Sequence, residues 1–124
     1  MSIFDTARFV ISAAKLYGLP EETVPEIAFA GRSNAGKSTS INVLTRKTRL
    51  AFASKTPGRT QLINFFGISA RDENRQPYDV GYLVDLPGYG FAKASEDTRK
   101  TWSQLVGGYI AQRQAMTGLV IVMD

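Results

Sequence analysis

The 124-residue chain contains neither cysteine nor histidine. The missing thiols exclude a disulfide scaffold, and the two absences together exclude a zinc site built on thiolate or imidazole. Serine and cysteine triads are excluded as well, because their general base is an imidazole. Any chemistry must therefore use backbone amides, lysine, arginine, hydroxyl groups, carboxylates or a hard metal such as Mg²⁺.

Long apolar runs are also missing. No stretch approaches the roughly 20 apolar residues that a membrane-spanning helix needs. The N-terminal segment places Asp5 and Arg8 among apolar side chains, which is not the layout of a signal peptide. The composition, with 44% hydrophobic and 21% charged residues and a net charge of +4, fits one globular domain. We expect a cytoplasmic protein whose mild basicity suits an anionic partner.

Short apolar runs predict three strands, at 27–30, 62–68 and 82–85. The last two flank a polar turn at 71–77 and are expected to form a hairpin, in which Phe65 and Phe66 would point to opposite faces. A fourth run, at 118–124, is apolar up to its last residue, Asp124, and strongly β-forming. Residues 3–19 fit the helical and the strand period equally well, so both structures stay open there.

Two helices are predicted between these strands. One covers 39–44, and a longer one follows the candidate N-cap Ser95 with two carboxylates in its first turn. The apolar stripe of the longer helix recurs at helical spacing and contains Trp102, Leu105, Val106, Tyr109 and Ile110. Because strands and helices alternate around a hairpin, the sequence predicts an α/β sheet with helices packed on it.

The most specific motif is the octapeptide GRSNAGKS at residues 31–38, which matches G-x-x-x-x-G-K-[ST] without a gap. It follows a predicted strand and opens a predicted helix, the context in which this motif cradles phosphates. Its glycines let backbone N–H groups turn toward phosphate oxygens, and the helix N-terminus adds partial positive charge. Lys37 would reach the β- and γ-phosphates, and the Ser38 hydroxyl would bind Mg²⁺. A chance match in a glycine-rich turn is the alternative.

A second motif, D-L-P-G at residues 85–88, ends a predicted strand. P-loop NTPases hold Mg²⁺ through a carboxylate at this place, usually by way of water. Gly88 would offer its backbone N–H to a γ-phosphate. Read alone, the segment is equally a turn that follows a strand, and its pairing with the octapeptide favours the functional interpretation.

A third segment lies in the long basic loop at 45–61 and contains Pro57, Gly58, Arg59, Thr60 and Gln61. A threonine placed here would coordinate Mg²⁺ when the loop closes over nucleotide, and γ-phosphate would then order the loop. The alternative is a Pro-Gly turn with solvated side chains. The basic side chains of this loop suit either a surface that faces a nucleic acid or a solvated loop.

Together, GRSNAGKS, SKTPGRTQ and VDLPGYG resemble the nucleotide-binding loop, first switch and second switch of the EngB family of bacterial Ras-like GTPases. The resemblance runs from about Val24 to Asp124 and leaves residues 1–23 as an N-terminal extension. It implies a P-loop NTPase (G-domain) fold: an α/β three-layer sandwich with a mixed, mostly parallel sheet, incomplete at the C-terminal side. One hairpin strand would run antiparallel to the rest.

The resemblance also implies a function and partners. The protein would be a GTP-binding protein with GTPase switch activity in the assembly of the large ribosomal subunit, and thereby in cell division and septum formation. Its partner would be the precursor of that subunit, with its rRNA and proteins. Neither DNA nor a membrane would be bound, and the full-length protein would be a monomer.

Carried onto this sequence, the resemblance implies a set of nucleotide-binding residues: Gly31, Arg32, Ser33, Asn34, Ala35, Gly36, Lys37, Ser38, Thr39, Pro57, Gly58, Arg59, Thr60, Asp85, Leu86, Pro87 and Gly88. Ser38 and Thr60 would bind Mg²⁺ directly, and Asp85 would bind it through water. Lys37, Thr60 and Gly88 would carry the catalytic roles. GTP or GDP would be the ligand.

Hydrolysis leaves two points open. Ras-type enzymes orient the attacking water with a glutamine after the D-x-x-G motif, and Tyr89 stands at that position here. Asn34 lies where potassium-activated relatives place a K⁺-coordinating asparagine, or else it bonds its own loop. A monovalent cation there would supply charge that an arginine finger supplies elsewhere. The resemblance therefore implies slow intrinsic hydrolysis that a cation or the ribosome accelerates.

The guanine-reading motif [NT]-K-x-D is missing, because no lysine has Asp or Glu two residues later. In the family that motif lies beyond the strand that ends here at Asp124, so we expect a truncation that removes the base-recognition part. In the usual strand order 2-3-1-4-5-6, residues 119–123 would form an edge. We therefore expect the isolated chain to be poorly stable, or to aggregate through that edge.

The missing base motif keeps two other functions open. One is a phosphate-binding, catalytically inactive fragment without guanine specificity. The other is a P-loop ATPase or kinase, which the threonine between the octapeptide and the D-L-P-G motif disfavours. Nucleotide selectivity distinguishes all three.

Overall fold

The computed structural model describes residues 2–32, 36–51, 61–89 and 96–123. Two short 3₁₀ helices, Ile3–Thr6 and Leu16–Gly18, flank the first strand. The remaining elements are β1 (Arg8–Ala13), β2 (Glu26–Gly31), α1 (Lys37–Thr45), β3 (Ile63–Arg71), β4 (Pro77–Asp85), α2 (Glu96–Gln112) and β5 (Met116–Val122). Every predicted strand and helix is present, with bounds that differ from the predicted ones by a few residues. The candidate N-cap Ser95 and Asp124 lie outside the described residues.

The five strands form one sheet in the order β1-β3-β4-β2-β5. β2 lies between β4 and β5 and is parallel to both, whereas β3 runs antiparallel to its neighbours β1 and β4. Within the described part of the chain, β3 alone therefore opposes the other strands. The expected mixed sheet is confirmed. When β2 is counted as the first strand of the family's fold, the order β3-β4-β2-β5 is the expected order 2-3-1-4.

The ambiguous N-terminal segment forms a strand rather than a helix. β1 pairs with β3 in a register that places Arg8 opposite Gly67 and Ser12 opposite Asn64. The backbone partner on β3 decides between the two periods that the sequence leaves open, because propensity is a weak prior against tertiary pairing. Residues that the resemblance treats as an extension thus supply the outer strand of this sheet.

Apolar side chains fill both faces of the sheet. The face under α2 contains Ala28, Ile63, Phe65, Val84, Leu86, Leu105, Val106 and Tyr109. The face under α1 contains Ala7, Phe29, Ile41, Ala51, Phe66, Ile68 and Leu83. Phe65 and Phe66 are both buried and belong to opposite faces, as the strand alternation predicts. One helix covers each face, which gives the three layers that the fold class implies.

The outermost elements leave some apolar surface exposed. β5 forms the edge of the sheet opposite β1. Val120 and Ile121 on β5 are exposed. On α2, Leu105, Val106 and Tyr109 of the predicted stripe are buried, whereas Ile110 is exposed. Among the described residues, no helix is long and apolar enough to cross a membrane.

Candidate functional site

The candidate site lies where the parallel strands end together at one edge of the sheet. β2 ends at Gly31, β4 at Asp85 and β5 at Val122. The register places Phe29 opposite Asp85 and Gly31 opposite Val122, so these ends are neighbours. Open sheets with helices on both faces bind ligands outside such carboxyl ends.

At Gly31 and Gly36 of the octapeptide, the local backbone favours glycine. Gly36 is the residue before α1, and its φ of 89° lies in the left-handed region that favours glycine. A Cβ on Gly31 would lie 3.0 Å from the Val122 carbonyl oxygen, so a larger residue would push β2 and β5 apart. α1 therefore begins beside the strand ends, where the free amides of its first turn suit an anion.

Lys37 and Asp85 join the octapeptide to the D-L-P-G segment. The Lys37 Nζ atom donates a hydrogen bond to Asp85 Oδ1. Only 11% of the lysine side chain and 4% of the aspartate side chain are exposed. Burial raises the pKa of Asp85, and the charge and hydrogen bond of Lys37 oppose this rise without cancelling it. The two motifs are therefore in contact through a buried ion pair.

The segment after Asp85 continues alongside β2. The Leu86 N–H donates to the Phe29 carbonyl at 3.1 Å, and the Tyr89 N–H donates to the Gly31 carbonyl at 3.2 Å. The Leu86 side chain is fully buried, which anchors the segment in the core. These contacts hold Gly88 next to the octapeptide.

The other described site residues surround this centre. Ser38 is buried in the first turn of α1, immediately after Lys37, whereas Arg32 and Thr39 are exposed. The hydroxyl of Ser38 and the carboxylate of Asp85 fit Mg²⁺, which takes one or two protein oxygens and completes its octahedron with phosphate oxygens and water.

Seven predicted site residues lie outside the described residues: Ser33, Asn34, Ala35, Pro57, Gly58, Arg59 and Thr60. Their roles, including the Mg²⁺ role of Thr60 and the K⁺ role of Asn34, stay predictions.

Asn42 on α1 anchors the start of the basic loop, a contact that the sequence analysis missed. Its Nδ2 atom donates to the Ala51 carbonyl at 2.9 Å, and the Ala51 N–H donates back to Oδ1 at 2.8 Å. The Lys47 N–H also donates to the Asn42 carbonyl at 2.9 Å. Asn42 therefore fixes the backbone of Ala51, which precedes the segment that contains the predicted switch threonine.

Trp102 contacts the D-L-P-G segment, which its place on the apolar stripe of α2 did not indicate. Its Nε1 atom donates to the Pro87 carbonyl at 2.7 Å. Its ring packs edge-on against Tyr89, with 5.8 Å between ring centroids. The sequence does contain one indication of such a contact. A tryptophan on the apolar stripe of a helix usually has an acceptor for its indole N–H when it is buried.

Comparison with known proteins identifies the family. A family model described as a 50S ribosome-binding GTPase matches residues 26–124. The chain belongs to this family. The octapeptide, the D-L-P-G segment and strands β2 to β5 all lie inside the matched range, and the three-layer fold is that of a P-loop GTPase.

The family's curated members confirm the resemblance to EngB. The chain is 54% identical to the probable GTP-binding protein EngB of Ralstonia pickettii, over all of this chain and 52% of that relative. It is 49% identical to the protein of the same name from Bordetella pertussis, over 59% of that relative. For the protein from Aromatoleum aromaticum the values are 54% and 53%. The chain thus spans about half the length of the curated relatives it matches.

Proposed function

We propose that this chain carries the phosphate-binding part of a GTP-binding switch protein. The observation that carries the proposal is the contact between Lys37 and Asp85, which brings the octapeptide and the D-L-P-G segment together at the strand ends. A nucleotide phosphate would compete with Asp85 for the Lys37 ammonium. Nucleotide binding would thereby free the carboxylate for a cation. The ion pair would be present in the empty site and broken in the loaded one.

Each group at the site then has one role. Lys37 and the first-turn amides of α1 bind the phosphates, and the Gly88 N–H contacts the γ-phosphate. Ser38 and Asp85 would hold Mg²⁺ together with Thr60, and the ion would offset the negative charge of the phosphates. Because the γ-phosphate is lost on hydrolysis, the Gly88 contact distinguishes the two nucleotide states.

We expect hydrolysis to be slow without an activator. Tyr89 occupies the position of the water-orienting glutamine, and its ring packs against Trp102. Single-turnover assays on the full-length protein, with and without K⁺ and ribosomes, measure this. A rate that is already fast in Na⁺ buffer without ribosomes would contradict the expectation.

The biological role is proposed from the family. A 50S ribosome-binding GTPase would act on the precursor of the large ribosomal subunit, with its rRNA and proteins, and cell division would depend on it indirectly. The exposed side chains of Arg46, Lys47 and Arg49 at the start of the basic loop suit rRNA phosphates. They lie next to the segment that the proposed switch would move.

The test of the proposed function is nucleotide selectivity. Calorimetric titration of the full-length protein with Mg²⁺ is expected to show micromolar binding of GDP and none of ADP. The 124-residue chain, titrated in parallel, shows whether these residues select guanine or bind the phosphates alone. Lys47→Met is the control, because Lys47 is exposed and its side chain makes no hydrogen bond or ion pair with the site residues that the structure describes. Equal binding of GDP and ADP by the full-length protein would favour a phosphate-binding module without base specificity, and no binding would refute both.

A further inference from the structure

We propose that Trp102 is a positioning residue that aims the Gly88 N–H at the γ-phosphate of bound GTP. The inference rests on the proposed function and extends it from the D-L-P-G segment to α2. Trp102 itself does not touch the nucleotide in this proposal. It acts through the peptide group that joins Pro87 to Gly88.

The argument starts from that peptide group. The Trp102 Nε1 atom donates to the Pro87 carbonyl at 2.7 Å, a short hydrogen bond between neutral groups. The Pro87 carbonyl and the Gly88 N–H belong to one planar, trans peptide unit, so they point in opposite directions. Fixing the carbonyl toward α2 therefore fixes the N–H away from α2.

The remaining amides of the segment are already engaged or missing. Leu86 and Tyr89 donate their N–H groups to carbonyls of β2, and Pro87 has no N–H. Within the described part of the chain, the Gly88 N–H is therefore the amide of residues 86–89 that has no protein acceptor. An N–H group without a partner, on a segment fixed at both ends, suits an acceptor supplied by a ligand.

The indole itself has a firm support. Its ring lies edge-on against Tyr89 and packs partly against the core under α2. α2 is fixed to the sheet by Leu105, Val106 and Tyr109, all of them buried. The orientation of the Gly88 peptide is thus set by the packing of α2, not by the D-L-P-G segment alone.

This arrangement predicts an effect that depends on the nucleotide. GDP has no γ-phosphate, so the Gly88 N–H contributes to binding of GTP but not of GDP. Removing the indole N–H lets the Pro87–Gly88 peptide rotate and costs about one hydrogen bond in the triphosphate complex. Trp102→Phe is therefore expected to weaken a non-hydrolysable GTP analogue about three- to tenfold and to leave GDP affinity unchanged.

The matched control is Tyr109→Phe, on the same helix. It removes a buried hydroxyl that donates to Glu26, at the other end of β2 from the site. This variant lowers the stability of α2 without touching residues 86–89, so it should leave the ratio of GTP-analogue affinity to GDP affinity unchanged. An equal drop of both affinities in Trp102→Phe, or the same ratio change in Tyr109→Phe, would overturn the inference.

A second measurement follows the indole N–H signal of Trp102 in NMR spectra of the full-length protein. Trp102 is the only tryptophan of the 124 residues, and the signal that is lost in Trp102→Phe assigns it. We expect slow exchange with solvent in the GDP complex, and a shift of this signal when the GTP analogue replaces GDP. Exchange as fast as that of free indole would contradict the Pro87 contact. If the unmodified protein binds neither nucleotide, the proposed function fails; if it binds both but Trp102→Phe keeps their ratio, only this inference fails.

Discussion

Replacing Lys37 by methionine is expected to lower the free energy of unfolding of the nucleotide-free protein by about 3 to 5 kcal/mol. Methionine fills a similar volume but leaves the Asp85 carboxylate buried without its cation. Burial already raises the pKa of Asp85 against the opposing effect of Lys37, so removing the lysine raises it further. The aspartate then takes up a proton on folding, and this uptake is the source of the cost.

The cost should depend on pH with a definite sign. In Lys37→Met the folded protein binds a proton at Asp85 that the unfolded chain does not bind above its ordinary pKa. Stability then falls as pH rises, by about 1.4 kcal/mol per unit between the unfolded and folded pKa values. Urea denaturation at several pH values measures this, and the variant should approach the stability of the unmodified protein as pH is lowered.

Asp85→Asn completes a double-mutant cycle with Lys37→Met. Asp85→Asn alone leaves the Lys37 ammonium buried without its carboxylate, so it is also expected to lower the free energy of unfolding by about 3 to 5 kcal/mol. Combining it with Lys37→Met should restore most of the stability that Lys37→Met loses, because no buried carboxylate remains. Lys47→Met is the matched control and should change stability by no more than about 0.5 kcal/mol. Additive effects of the two site variants would show that the ion pair does not couple the motifs.

Much of the fold and the centre of the site could be predicted, because their signals are local. The octapeptide encodes a strand end, a left-handed glycine at Gly36 and a helix start within eight residues. The alternation around Phe65 and Phe66 gives two buried faces, which implies two covering layers. Such patterns depend on residues a few positions apart, where backbone geometry dictates the outcome.

The features that escaped prediction depend on residues far apart in the chain. Whether residues 8–13 form a strand depends on pairing with β3, fifty or more positions away. The hydrogen bond between Trp102 and Pro87 requires knowing how α2 lies against the D-L-P-G segment. Glu26 was not singled out, because a charged residue at the start of a strand is ordinarily solvated, and its burial follows from a partner 87 residues later.

That partner is Arg113, which directly follows α2. Together with the Lys37–Asp85 pair, Glu26 and Arg113 form one of two buried ion pairs among the described residues. Glu26 is fully buried, and only 8% of the Arg113 side chain is exposed. The guanidinium binds the carboxylate in a forked geometry, with Nε at 2.9 Å from Oε1 and Nη2 at 2.7 Å from Oε2. Tyr109 OH donates to Oε1 at 2.9 Å, which leaves both charges well partnered.

Arg113 also connects segments that the sequence separates. Its Nη2 atom donates to the Pro20 carbonyl at 2.6 Å, and the guanidinium lies 5.6 Å from the centre of the Phe65 ring. Burial lowers the pKa of Arg113, but its bond and attraction to Glu26 outweigh this and raise it. The segment before β2, the start of β2 and the end of α2 are therefore joined by one side chain.

Arg113→Met is expected to lower the free energy of unfolding by about 3 to 5 kcal/mol, because Glu26 would remain buried without its cation. Tyr109→Phe should cost less, about 1 kcal/mol, since the ion pair survives it. The exposed Arg99 on the same helix supplies the control, and Arg99→Met should stay within about 0.5 kcal/mol. Urea denaturation of the full-length protein measures all three.

The double variant Glu26→Leu/Arg113→Met decides what the pair contributes. A buried ion pair replaced on both sides by apolar residues often costs little, because desolvation offsets most of the attraction between the charges. We expect the double variant to recover most of the loss of Arg113→Met, which would show that the cost comes from the unpaired carboxylate. If the double variant is as unstable as the single one, the contacts of Arg113 with the Pro20 carbonyl and the Phe65 ring carry the stability instead. In either case Glu26 lies at the opposite end of β2 from Gly31, so variants that remain folded should bind GDP with unchanged affinity.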